Sequence, residues 1–508
     1  MKFKNIKNIN NINNISIGLL VFLFMISCSE EYLDVAPKGT ALEENYYTNE
    51  SEAYSALVSV YDVIGKESRG FENMIAMLNS GSDDHYTGGG SSSDGSQLQA
   101  FSNYTISESN IGTSYWNDFY QGIFRANVLL TKLPDIDMST SSKIRFEAEA
   151  KALRAIYYFE LVRLFKNIPL ITTPLATSEI YNIEQADPNN VYAQIETDLL
   201  DALPNIPISL NIANEGGRLT RGAAKAILGK VYLYQGKNTE AAAQFLEING
   251  TPGSKSTYGY KLLDDFSDLW VVSNTYHSES ILEIAHTNQS NADWWFWGGS
   301  ADEGNSLNVM VGPRGYVRNN NSAPDYAAGW GFNIITQDLH DTLLGDPRFD
   351  DTIEDLQTLK DAGDVSFDES YQHTGYYLKK FMPLTSDVSN GGGASVLNYK
   401  QHTYMIRLAD TYLMEAEALG GSGARAQSLL DAVRTRVGLP SIPVSIEAII
   451  NERRLELAGE GHRWFDLVRT EKAATALASK GFTSGKNEIL PIPLAELENT
   501  LLVQNPNY

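Results

Sequence analysis

The sequence predicts a mainly α-helical protein, a tetratricopeptide-like helical-repeat frame that carries a large irregular, aromatic-rich insertion. Three observations predict it: helical periodicity on both sides of the chain's middle, a repeat-like stretch from Gly217 to Asn249, and a change of texture between Thr251 and Lys400. Trp116, Phe119, Ile123, Ala126 and Leu130 share one helix face, as do Phe146, Ala150, Leu153, Tyr157, Leu161 and Leu164, because spacings of three and four bring side chains to one side. A first helix is expected over 49–64. In the repeat-like stretch, Leu228, Gly229 and Tyr232 precede a turn at Gly236, and Ala241 and Phe245 follow. Small residues there let two helices approach, and aromatic rings fill the groove between them. A looser version recurs around Leu408, Ala409 and Tyr412, with Leu430 and Val433 on the next helix.

The N-terminus addresses the compartment. Lys2, Lys4 and Lys7 precede an apolar run of 12 residues, Ile15 to Ile26, which ends at Ser27 and Cys28. This pattern reads as a lipoprotein signal peptide over 1–27, with Cys28 as the lipidated residue. The run falls short of the roughly 20 residues a membrane-crossing helix needs. Cys28 is the only cysteine, so no internal disulfide or thiolate metal cluster is expected. The mature region, 28–508, divides into an N-terminal helical part (28–250), the insertion (251–400) and a C-terminal helical part with a tail (401–508).

The formal net charge is −24, and loss of residues 1–27 removes three lysines and no acids, leaving 36 basic against 63 acidic residues. Such a surface repels nucleic acid and anionic headgroups and favours neutral ligands. Between Ser80 and Ser96 the sequence SGSDDHYTGGGSSSDGS predicts a long surface loop, because Gly and Ser at that density resist regular structure.

Candidate ligand residues concentrate in the insertion. Asp293-Trp294-Trp295-Phe296-Trp297-Gly298-Gly299 puts three of the seven tryptophans within four positions, and adjacent residues cannot all face one core. Exposed rings of this kind stack on the apolar faces of sugars, and planar polar groups at the rim bond their hydroxyls. Tyr316, with Arg314, Arg318 and Asn319 to Asn321, follows, and Trp330 sits in the glycine-flanked AGWGF. Asp84 and Tyr86, in the predicted Gly and Ser loop, complete the candidate set. The acids offer no selected catalytic pair: Asp293 with Asp325, or Asp83 with Asp84, fit a glycosidase no better than other combinations. The sequence has no HExxH, GxSxG, CxxC or P-loop motif. No catalytic residue, cofactor or metal is expected, and a secreted glycoside hydrolase or a tetratricopeptide-type peptide adaptor are the alternatives to a binding protein.

Several ordered blocks carry a family resemblance. NERRLELAGEGHRWFDLVR (Asn451 to Arg469), ADTYLMEAEAL (Ala409 to Leu419), the segment Glu147 to Leu170, Gly217 to Gly236, VRTRVGL (Val433 to Leu439), LPIP (Leu490 to Pro493) and the final QNPNY resemble SusD/RagB outer-membrane nutrient-binding lipoproteins. The resemblance implies a lipid-anchored, cell-surface glycan-binding protein with no enzymatic activity, which captures oligosaccharides and delivers them to a SusC-type TonB-dependent transporter in the outer membrane. The acids and bases of Asn451 to Arg469, among them Arg453, Glu456, Arg463 and Asp466, are expected to form ion pairs within the frame, since alternating charges at helical spacing pair with neighbouring helices.

Overall fold

The computed structural model describes residues 46–289, 293–294 and 303–508. The chain divides into Met1–Thr48 and the unit Asn49–Tyr508. Cys28 and the signal segment lie outside the described residues.

In the second unit, helix α1 spans Glu50–Asp62, α2 Met74–Gly81, α3 Ser96–Ser102, α4 Ser114–Lys132, α5 Thr140–Phe165 and α6 Pro188–Ala202. The repeat pair is α7, Arg221–Tyr234, and α8, Asn238–Asn249. Starts are capped as polar residue types dictate: the side chains of Asn49, Asn73, Ser139 and Thr220 each accept an N–H from the first turn of the helix that follows. Helix α5 packs between α4 and α6, burying the stripe from Phe146 to Leu164. The repeat pair closes on Gly229: a Cβ there would meet the Phe245 ring at 2.7 Å, so only glycine lets α7 and α8 come this near.

After the insertion the frame resumes with α9 (Leu408–Ala418), α10 (Gly423–Arg436), α11 (Ile446–Glu456) and α12 (Arg463–Arg469). Helix α8 packs against α9, and α9 against α10 and α11, so the second helical part completes the stack begun by the first.

Short antiparallel ladders, not a single sheet, build the insertion and tie it to the segments on either side. Strand β1 (His85–Gly88) pairs with β4 (Phe332–Ile335), β2 (Ser280–Ile284) with β8 (Thr403–Arg407), β3 (Arg314–Arg318) with β6 (Val365–Asp368), and β5 (Ile353–Asp355) with β7 (Tyr376–Leu378). The β2–β8 ladder sets Ser280 opposite Arg407, which clamps the two ends of the insertion together where they join the frame. Among the described residues no helix is long and apolar enough to cross a membrane.

The predicted surface loop over 80–96 needs correction. Ser80 and Gly81 end α2, His85–Gly88 is strand β1, and Ser80, Ser82, Asp84, His85 and Thr87 are buried. Three of their backbone carbonyls are met by one cation: Lys480 Nζ donates to the carbonyls of Ser80, Ser82 and His85 at 2.7, 2.6 and 2.8 Å. Only the GGSSSDG portion, 89–95, forms a loop, with Gly90 to Ser93 at its exposed tip.

Candidate functional site

The β1–β4 ladder positions the candidate site. Trp330 stands two residues before β4, and its backbone is gripped by the segment ahead of β3: its N–H donates to Val309 O at 2.8 Å, and its own carbonyl accepts from Arg314 Nη1 at 3.1 Å. Glycine is required beside it, since a Cβ on Gly329 would lie 2.5 Å from Val309 O. A large ring is thus held on a backbone that packs tightly enough to be rigid.

Three rings gather there. Trp294 and Trp330 have centroids 6.0 Å apart and planes inclined by 32°. Phe71, between α1 and α2, sits 6.3 Å from Trp330 and meets Phe332 edge-on at 5.3 Å. Trp294 is 57% exposed, while Trp330 and Phe71 are half-buried. The Asp293 carboxylate accepts the Trp294 N–H at 2.8 Å.

Polar groups rim these rings. Asp94, in the 89–95 loop, accepts the Gly90 N–H at 2.7 Å and faces Arg314 at 3.7 Å. Glu72, next to Phe71, accepts from the Ser114 hydroxyl at 2.6 Å. The site is therefore an exposed aromatic surface with charged side chains already fixed by partners.

The other candidates fall elsewhere. Trp295 and Trp297 lie outside the described residues. Tyr316 is only 7% exposed; its ring packs on Tyr326 in a core cluster and its hydroxyl donates to Pro324 O at 2.7 Å. It is a core residue and has no free face for a ligand. Asp84, 1% exposed, accepts from Arg454 Nε at 2.7 Å, and Asp83 takes both ends of the Arg463 guanidinium at 2.8 and 2.7 Å. Burial and the Asp83 charge push the Asp84 carboxyl above its usual range. These two acids brace β1 against α11 and α12, which explains why residues of loop-like composition are buried. Tyr86 is half-buried against the same cluster as Tyr316. Phe71 and Asp94 were not singled out in the sequence, because each is remote from the tryptophans along the chain and neither belongs to a motif.

The signature residues occupy the frame. Arg453 is buried between Asp410 at 2.6 Å and Asp466 at 2.9 Å, and Arg407 bonds Glu456 and Glu460. No solvent-facing cluster results.

Two family profiles match the chain: the SusD family over residues 348–508, and "Starch-binding associating with outer membrane" over residues 31–233. The solved structure of a laminarin binding SusD-like protein is 62% identical, superposes with a TM-score of 0.90, and is matched over 91% of this chain and 100% of its own. The chain belongs to the SusD family. Surface glycan-binding protein A from Bacteroides thetaiotaomicron in complex with laminarihexaose is another structural neighbour, 26% identical, with a TM-score of 0.80 over 91% of this chain and 100% of that one. SusD-like protein P25 of Formosa agariphila is 26% identical over 96% of this chain and 98% of its own length. Membership accounts for the fold of the SusD-family chain, including the helical-repeat frame and the insertion that rises from it.

Proposed function

We propose that this chain is a cell-surface glycan-binding lipoprotein, anchored to the outer membrane through Cys28, which captures laminarin-type glucans without cleaving them and passes oligosaccharides to a SusC-type TonB-dependent transporter. The observation that carries this reading is the ring pair of exposed Trp294 and half-buried Trp330 beside a rim of fixed charges. Sugar rings present C–H groups on their faces and hydroxyls on their edges, so an aromatic floor with Arg314 and Asp94 beside it is complementary to both. The 32° inclination of the two rings suits a chain that turns from one sugar to the next, as a laminarin chain does, better than a flat ribbon. The solved relative named for laminarin and the neighbour holding laminarihexaose support the same ligand class.

Binding without cleavage is supported by the solved relatives, which are named for binding laminarin and glycans. Asp94 and Glu72 both accept hydrogen bonds from protein donors, which fixes their orientation at the rim. Delivery requires proximity to the transporter, and the lipid anchor supplies it by confining the chain to the membrane surface.

Calorimetry with laminarin, laminarihexaose and a starch oligosaccharide of equal length tests the reading, with the sugars recovered and sized afterwards. Binding of the laminarin series with unchanged chain lengths is expected. Absence of any binding, or appearance of shorter sugars, overturns it. Affinity purification from solubilised outer membranes tests the partner, and recovery of the chain with no large β-barrel receptor would remove the delivery step.

A further inference from the structure

Phe71 belongs to two surfaces at once. Its ring joins Trp330 in the aromatic floor, and the same residue lines a hollow with Lys66, Arg69 and Asp118. Arg69 in turn lines a cavity of about 230 Å³ whose walls are Tyr54 and Val58 of α1, Gly217 and Arg218, and Glu283 near the end of β2. The shared Arg69 wall makes these two hollows neighbours, and Phe71 sets the first of them beside the tryptophans.

The cavity wall is fixed on its other side as well: the Thr287 N–H donates to Glu303 O at 3.0 Å, and Glu303 lines the cavity. His286 fixes this junction: its Nε2 lies 2.8 Å from Ser68 Oγ and its Nδ1 3.3 Å from Glu303 O. Burial pushes His286 down to about 3, so the ring is neutral and uses one nitrogen as donor and the other as acceptor.

The lining has a consistent chemistry. Tyr54 is 41% exposed, with the Arg218 guanidinium 5.6 Å from its ring centre. Arg69 is paired with Asp62 at 2.6 Å, Arg218 with Glu149 at 2.7 Å, and Glu283 accepts from His402 at 2.7 Å. Charges that arrive in pairs present oriented hydrogen-bonding edges without demanding a counter-ion. An aromatic face with such edges suits a neutral, hydroxyl-rich ring, and the space takes one sugar ring and not a stretch of polysaccharide.

We infer that this cavity is a second sugar subsite, which takes one ring of the same glycan chain whose other residues lie on the Trp294–Trp330 floor. The inference rests on the glycan-binding reading above. Two linked stations make affinity depend on chain length, because a chain long enough to reach both gains the second contact at high effective concentration. The protein then prefers long chains over the short products of digestion.

Calorimetry on the full folded chain compares laminaritriose, which covers the tryptophan floor alone, with laminarihexaose and laminarin. Two variants accompany the wild type: Tyr54→Ala removes the aromatic wall, and Val58→Trp, at a side chain 47% exposed, fills the mouth with little demand on the fold. Circular dichroism checks both, and Val58→Trp decides the matter if Tyr54→Ala does not fold. Wild-type affinity is expected to rise at least about tenfold from the triose to the longer ligands, the scale of one good aromatic contact. Both variants should keep the triose affinity and lose that gain. The inference is overturned if wild type binds the triose as tightly as the polymer, or if the gain survives Val58→Trp. Failure of wild type to bind any length would overturn the glycan reading itself and this subsite with it.

Discussion

Arg407, the last residue of β8, and Glu456, the last residue of α11, meet at 2.6 Å with neither side chain exposed. Arg407 also reaches Glu279 at 3.0 Å and Glu460 at 2.9 Å, while Glu456 accepts from Arg348 at 3.0 Å and from Arg436. Glu279 precedes β2, so one buried knot of charge holds both ends of the insertion to the C-terminal helices.

Arg407→Met should be strongly destabilising, because Glu279, Glu456 and Glu460 would keep their burial and lose a shared cation. Removing one partner of a buried ion pair costs about 3–5 kcal/mol. Denaturant unfolding measures the loss, and glycan affinity of the remaining folded protein should match wild type. Full stability with lost binding would place this knot in the ligand site instead.

Acid should destabilise the fold in two stages. Burial pushes His85 and His286 down to about 3, well under the usual histidine range, so unfolding takes up protons and stability falls as pH drops below about 6.5. Burial works to raise Asp410, but the neighbouring Arg453 charge reverses this and holds it at about 2; Asp466 and Glu456 are likewise held down against burial by arginines. Their contribution is complete above about pH 4 and is lost as pH falls through the lowered values. Burial holds Glu67 at about 8, so between about pH 8 and 4.5 it opposes the histidines. Melting temperatures at pH 7.5, 5.5, 4 and 3 should therefore fall most steeply from 4 to 3, and no fall over that last step would contradict the acid stage.

Gly229→Ala tests the helix pairing. The added Cβ would stand 2.7 Å from the Phe245 ring, so α7 and α8 must part or the ring must leave its rotamer. Overpacking of this sort costs about 1–3 kcal/mol. Thermal melts should register it while laminarihexaose affinity stays constant; an unchanged melting temperature would show that the pair adjusts freely.

The Gly229 contact was legible in the sequence because both partners lie on consecutive helices, where spacing alone predicts which side chains meet. The ion pairs of Asn451 to Arg469 were legible only as a type: their acids and bases announced a frame, but Asp83, Asp84 and Arg407 come from distant segments that no periodicity connects to them. Asp84 illustrates the limit. Its Gly and Ser neighbours match an exposed loop, and what buries it is Arg454 from a helix 370 residues away. Tyr316 was misplaced for a related reason, since an aromatic beside arginines and asparagines has the composition of a binding loop, and only the Tyr326 and Pro324 contacts decide that it faces the core. The tight backbone at Trp330 is legible because glycines flank a large ring there, whereas the packing of Phe71 against Trp330 is purely tertiary.

Tyr316→Ala should therefore act on stability. Its ring is buried in the cluster with Tyr326 and Phe367, and removal of a large core side chain costs about 3–5 kcal/mol. Denaturant curves should show this loss, and the folded variant should bind laminarihexaose like wild type. Selective loss of affinity at full stability would return Tyr316 to the ligand face.

Trp294→Ala and Trp330→Ala separate the two rings of the floor. Trp294 is mostly exposed, so its removal should leave the melting temperature nearly unchanged and reduce laminarihexaose affinity by about tenfold to a hundredfold, the effect of losing one large apolar contact, about 1–3 kcal/mol. Trp330 contacts Phe71 as well as Trp294, so Trp330→Ala should lower both affinity and stability. On the proposed reading one stretch of ligand covers both of these neighbouring rings, so their losses should not add: the double variant should bind little worse than the weaker single variant. Calorimetry on all three, with melting curves beside each, makes the comparison. Strict additivity would mean that the rings serve separate sugars with no mutual support, and wild-type affinity in both single variants would move the binding site away from these tryptophans altogether.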